Sequence, residues 1–98
     1  LYTPRIPHQD LLPVLIFFHG GGWVLGTLDE YDEMCQKICT RTPCLVVSVD
    51  YHLAPQHKFP GPLNDCYTAT NWVAEHIRQF RGDPTRLAIC GYSAGGNL

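Results

Sequence analysis

The sequence predicts an α/β fold with three parallel strands and crossover helices, and three observations carry that prediction. Short apolar, β-branched runs alternate along the 98 residues with longer segments whose apolar positions recur at helical spacing. The last of these runs passes straight into glycine and the first ends in His19 and three glycines, the signature of a strand ending at a tight loop. With 45% hydrophobic and 16% charged residues, the chain has the composition of a globular domain, not a disordered one. Strand, helix, strand, helix, strand in that order implies right-handed crossovers and a sheet covered on both faces.

Each element has its own local reason. Leu11 to Phe18 is nearly continuous in apolar residues, as a strand buried on both faces must be. Tyr31 to Arg41 places Tyr31, Met34, Cys35, Ile38 and Cys39 at helical spacing, with Asp29 and Glu30 favourable near the helix start. Cys44 to Val49 is the second strand, ended by Asp50, and a polar, proline-rich loop runs from there through Pro62. Leu63 to Phe80 reads as a helix carrying Tyr67, Trp72, Val73, Ile77 and Phe80. Gly82-Asp83-Pro84 is expected to turn the chain into the third strand, Arg86 to Cys90.

Bulk properties exclude several classes. A net charge of −2 argues against nucleic acid or an anionic membrane surface as the main partner. No apolar run approaches the ~20 residues that span a bilayer. Cys35, Cys39 and Cys44 lack zinc-site spacing and have no histidine at a ligand-like interval, so no metal site is expected. Five cysteines are an odd number for a disulfide framework, and Cys44 and Cys90 sit in or beside apolar runs, so buried free thiols are expected. Leu1 is not a methionine and Leu98 falls inside a helix-opening motif, so the chain is expected to be an internal segment of a longer protein.

Two glycine-rich motifs carry the chemistry, and both fall at the carboxyl ends of strands, where ligand sites in such sheets lie. Gly91-Tyr92-Ser93-Ala94-Gly95 fits G-x-S-x-G, in which a serine sits on a sharp strand-to-helix turn with its hydroxyl clear of the backbone. His19-Gly20-Gly21-Gly22-Trp23 permits a loop whose amide N–H groups converge on one point, suited to a phosphate or an oxyanion. Taken alone, the triglycine is equally an ordinary tight turn. A phosphate site is disfavoured, because Gly20, Gly22 and Gly26 do not give G-x-G-x-x-G and no Gly-Lys-Ser/Thr follows. An HGGG loop and a G-x-S-x-G elbow occur together, in this order, in α/β-hydrolases.

HGGGW (19–23), VVSVDYHLAPQHKFP (46–60), DCYTATNWVAEH (65–76) and GDPTRLAICGYSAGGNL (82–98) resemble the hormone-sensitive-lipase-like branch of the α/β-hydrolase esterases. The resemblance covers nearly all of the chain from about Leu12 and implies a partial α/β-hydrolase fold over 1–98, truncated at the nucleophile elbow. It implies a carboxylic-ester hydrolase acting on small or medium acyl esters without a cofactor. Ser93 would be the nucleophile, and the N–H groups of Gly21, Gly22 and Ala94 the oxyanion donors. His19 and Gly20 would support the loop, and Gly91 and Gly95 would allow the close approach of strand and helix. The strand ending in HGGG would lie between the other two. Three positions depart from the family pattern: Tyr92 stands for Asp, His52 for Arg and Gln56 for Glu. Tyr92 would alter the support of the elbow, and the lost charges at 52 and 56 would weaken an ion-paired anchor of the proline-rich loop.

Other polar residues take blander readings. The triad order in this fold is serine, acid, histidine, so His19, Asp50, Asp65 and Asp83, which all precede Ser93, are wrong for the base or acid. Both partners are expected beyond Leu98. His52 and His57 read as solvated or structural, His76 as pointing away from Glu75, and His8 as lying near the cut end. Asp65 suits a first helical turn and Asp83 a turn, while Trp23 is placed either to line a pocket or to make a core or lid contact. The same scaffold also serves non-catalytic small-molecule receptors, such as those for plant gibberellins. Those tend to alter the glycine loop, so the intact HGGG favours an enzyme.

Overall fold

The structure, a computed structural model, describes residues 1–5 and 10–98; His8 lies outside the described residues. Three strands form one sheet: β1 (Leu12–Phe18), β2 (Leu45–Val49) and β3 (Gly82–Gly91). Their order is β2-β1-β3, all parallel, so the strand that ends in the glycine loop is central, as the resemblance implied. Ile16 and Phe17, on opposite faces of β1, are both fully buried, which explains the unbroken apolar run.

Helix α1 (Asp32–Arg41) covers one face and α2 (Gly61–His76) the other. Cys35 and Cys39 of α1 pack on Phe17, Cys44 and Val46; Cys66 and Val73 of α2, with Ile77, pack in the core of Val14, Ile16, Phe18 and Leu45. Alternate β1 side chains therefore feed separate cores. Tyr2 pairs with Val46 in an isolated antiparallel bridge along β2, and its hydroxyl donates to Asp32 Oδ1 at 2.7 Å.

Several expectations are corrected. A 3-10 turn over Asp29–Tyr31 precedes α1, so Tyr31 ends a separate turn before the helix. Helix α2 starts at Gly61, because Pro62 in its first turn has the helical φ built in and lacks only an N–H that would be unpaired there. It gives way to a 3-10 turn over Ile77–Phe80. Asp65 is therefore a full turn inside the helix. The buried stripe of α2 is Pro62, Cys66 and Val73, continued by Ile77, whereas Tyr67, Trp72 and Phe80 are exposed.

The turn before β3 is at Arg81, in the left-handed conformation, and Gly82 already pairs with Leu12. The register then jumps, so that Val14 pairs with Leu87. The extra residues bulge because Asp83 Oδ1 accepts from the backbone N–H and hydroxyl of Thr85 while Oδ2 takes Arg86. The Thr85 hydrogen bonds, with Arg86 beside them, hold the Asp83 carboxyl down at about 2. Cys35, Cys39, Cys44 and Cys66 are buried free thiols, but Cys90 is exposed. It lies on an edge strand among the described residues, where Ile89 too is 60% exposed.

Candidate active site

β3 delivers the elbow to the end of β1. The Tyr92 N–H donates to the Phe18 carbonyl at 3.1 Å, and helix α3 (Ala94–Asn97) begins directly after Ser93. Ser93 has φ 52° and ψ −118°, a conformation that side-chain-bearing residues rarely adopt and that stores on the order of 1–3 kcal/mol. The Ser93 carbonyl accepts from Gly96 N at 2.9 Å and Asn97 N at 3.2 Å, which locks the turn while the side chain stays exposed. Gly95 makes this docking possible, since any Cβ there would run into the Phe18 and His19 carbonyl oxygens.

The glycine loop stands beside the elbow. The Gly21 carbonyl accepts from Leu25 N at 2.8 Å and Val24 N at 3.2 Å, closing a turn that reverses the chain. Gly21 has φ 130° and a Cβ there would strike the Leu25 carbonyl, so the position admits only glycine. Among the described residues, the N–H groups of Gly21, Gly22 and Ala94 have no acceptor within the protein. They are the three N–H groups to which the family resemblance gives the oxyanion.

His19 lies fully buried beneath the loop. Its ring stacks on Tyr51 at 4.4 Å, and its Nδ1 meets the Gly20 carbonyl at 2.7 Å. That contact requires a proton on Nδ1, which leaves Nε2 as an acceptor with no partner among the described residues. The Tyr51 hydroxyl donates to the His19 carbonyl at 2.6 Å, and burial pushes that hydroxyl up to about 12. His19 is thus buried and bonded to the first carbonyl of the loop, with no hydrogen bond to Ser93 among the described residues. Sequence reading missed Tyr51, although its place two residues past the end of β2 puts it at the same edge of the sheet.

The remaining candidates are scattered. Asp83 sits at the opposite end of β3 from Ser93, and the His76 ring meets the Trp72 carbonyl on α2. Asp65 is engaged by His52, through the backbone N–H at 2.9 Å and Nδ1 at 2.7 Å, and the His57 ring stacks on His52 at 4.0 Å. His52 thus ties the start of the proline-rich loop to α2. Among the described residues no histidine or carboxylate hydrogen-bonds the Ser93 hydroxyl, and no cluster fits a metal ion. Trp23 takes the pocket position. Its carbonyl accepts from Ala54 N at 2.8 Å, and its ring lines a largely apolar cleft of about 500 Å³ with Phe59, Leu63 and Leu98.

Comparison with known proteins agrees with this geometry. The alpha/beta hydrolase fold profile matches residues 15–98. Esterase LipI of Mycobacterium tuberculosis is 46% identical over 97 residues, which cover 99% of this chain and 30% of that protein. Arylacetamide deacetylase-like 3 of Homo sapiens is 36% identical over 98 residues, 100% of this chain and 24% of that one. A hyperthermophilic esterase from Pyrobaculum calidifontis superposes with a TM-score of 0.90 at 42% identity, over 95% of this chain and 30% of its own. The chain thus spans about 30% of the length of the mycobacterial relative and of the archaeal esterase. With its strand order, its strained serine turn and this match over most of its length, the chain belongs to the alpha/beta hydrolase fold family.

Proposed function

We propose that the protein carrying this chain is a carboxylic-ester hydrolase that works through an acyl-enzyme on Ser93. The observation that supports this most is the pairing of a strained, exposed serine with three N–H groups that have no acceptor among the described residues. Ser93 Oγ attacks the ester carbonyl carbon and gives its proton to a histidine from outside residues 1–98, itself oriented by a carboxylate. Negative charge then gathers on the carbonyl oxygen, which accepts from Gly21, Gly22 and Ala94 N–H. Donors aimed at that charge favour the transition state over the substrate, and one such donor contributes about 3–4 kcal/mol. Collapse of the intermediate expels the alcohol, which takes the proton from the histidine. Water then attacks the acyl-serine and releases the carboxylic acid. The apolar cleft beside Trp23 suits the hydrocarbon part of a small or medium ester.

Labelling and kinetics on the full-length protein test this reading. A fluorophosphonate is expected to modify Ser93, and Ser93→Ala should lower turnover of p-nitrophenyl butyrate by on the order of 10⁴–10⁶. Burst acylation surviving in Ser93→Ala would overturn the nucleophile. A wild-type protein that neither labels nor turns over esters, yet binds a small molecule tightly, would favour a receptor.

A further inference from the structure

A cluster of aromatic rings that the reaction itself does not touch lies beneath the glycine loop. Tyr31 is its centre. Its ring centroid stands 5.7 Å from Phe17, 5.9 Å from His19 and 6.0 Å from Tyr92, with the planes tilted by 46°, 31° and 54°. Tilted rings at these separations attract one another. Gly20 occupies the gap between the two tyrosines. A methyl group added there would stand 2.9 Å from the Tyr92 carbonyl oxygen and 3.0 Å from both Tyr92 Cδ1 and the Tyr31 hydroxyl oxygen. The space a side chain would need at Gly20 is thus filled by a residue from the turn before α1 and by the immediate neighbour of Ser93. On its other side, His19 is held by the stacked Tyr51 ring.

We propose that Tyr92 and Tyr31 are positioning residues for the oxyanion loop, clamping Gly20 so that the Gly21 and Gly22 N–H groups keep a fixed relation to Ser93. This rests on the reading of those N–H groups as oxyanion donors. Three successive glycines have more backbone freedom than any other sequence, and a donor that wanders must be reordered at the moment of reaction. The turn hydrogen bonds on the Gly21 carbonyl restrain the far side of the loop. The near side is restrained by the aromatic contact. Tyr92 is 55% exposed and its hydroxyl has no partner among the described residues, so what it supplies is the ring. Because Tyr92 precedes Ser93 directly, one residue ties the loop to the nucleophile.

The test uses the full-length protein with Tyr92→Phe, Tyr92→Leu and Tyr31→Leu, each assayed for kcat, KM, thermal midpoint and affinity for a trifluoromethyl ketone. The ketone adds to the serine as a tetrahedral oxyanion and so reports donor placement. Tyr92→Phe is expected to keep kcat within about twofold, while Tyr92→Leu lowers kcat by about ten- to a hundredfold with KM little changed. Ketone affinity should fall with kcat, and the double leucine variant should lose much less than the product of the single losses, because the rings act as one unit. Tyr92→Met, which fills similar space without a ring, gives the same reading should the leucine variant not fold. Unchanged kcat and ketone affinity in a folded leucine or methionine variant would overturn the brace while leaving the esterase reading intact. A rise in KM alone would overturn it in favour of a substrate contact. An inactive, unlabelled wild-type protein would remove the esterase reading and the brace with it.

Discussion

Gly95→Ala is the most incisive single perturbation of this site. A Cβ at position 95 points at the carbonyl oxygens of Phe18 and His19, well inside the 3.0 Å that real Cβ atoms respect. Neither oxygen is free to yield. The Phe18 carbonyl accepts from Tyr92 N at 3.1 Å and the His19 carbonyl from the Tyr51 hydroxyl at 2.6 Å, both at the end of the central strand. The part that moves is therefore α3, by roughly 1 Å, carrying Ser93 and the Ala94 N–H away from the glycine loop. A displacement of that size costs on the order of 100-fold in rate, or about 2.7 kcal/mol of barrier. Overpacking adds about 1–3 kcal/mol of lost stability. Steady-state hydrolysis of p-nitrophenyl butyrate by the full-length variant, with a thermal melt alongside, reads both quantities. Gly96→Ala is the control: its Cβ would stand 3.2 Å from the Gly91 carbonyl oxygen and asks for a shift of only a few tenths of an ångström. A Gly95→Ala protein with kcat within about threefold of wild type would refute the claim that this contact sets the position of the nucleophile.

Two more outcomes follow from the core beneath the site. Tyr51→Phe removes the buried hydrogen bond to the His19 carbonyl and should cost about 1–3 kcal/mol in denaturant titrations at neutral pH. Burial holds the Tyr51 proton up to about 12, whereas the unfolded chain releases it near 10. Wild-type stability should therefore fall as pH rises from about 10 towards 12, and the phenylalanine variant should lose that part of the alkaline decline; identical pH profiles would refute it. Expressed by itself, the 98-residue chain should show no cooperative thermal transition. Ile89 is 60% exposed on β3, and that strand's outer edge is unpaired among the described residues. A sharp calorimetric peak would contradict this.

Where sequence and structure diverge, the divergence has a physical cause. Helical periodicity predicts α2 and the burial of Val73 and Ile77, but it misses Cys66 and places Tyr67, Trp72 and Phe80 with them. Two apolar stripes compete along that segment, and the smaller side chains of Cys66 and Val73 let the helix approach the sheet, leaving Tyr67 and Trp72 outside. The bulge at Asp83 was invisible because it depends on one carboxylate catching Thr85 and Arg86 while β1 sets the register. Cys90 reads as a core residue by its neighbours, yet it lies exposed on an outer strand of the described sheet.

By itself the sequence determined what is local: the alternation of strand and helix, the glycine that the turn to Leu25 makes obligatory at 21, and Ser93 on a strained turn. These follow from the backbone conformations each residue can adopt. No local stretch decided that β1, as the resemblance implied, lies between β2 and β3 so that the glycine loop and the serine elbow meet, and only the tertiary structure showed that Tyr31, Tyr51 and Tyr92 converge on His19 and Gly20. Those relations join residues remote along the chain. They are fixed by strand register and by burial summed over both cores, which no local stretch of sequence encodes.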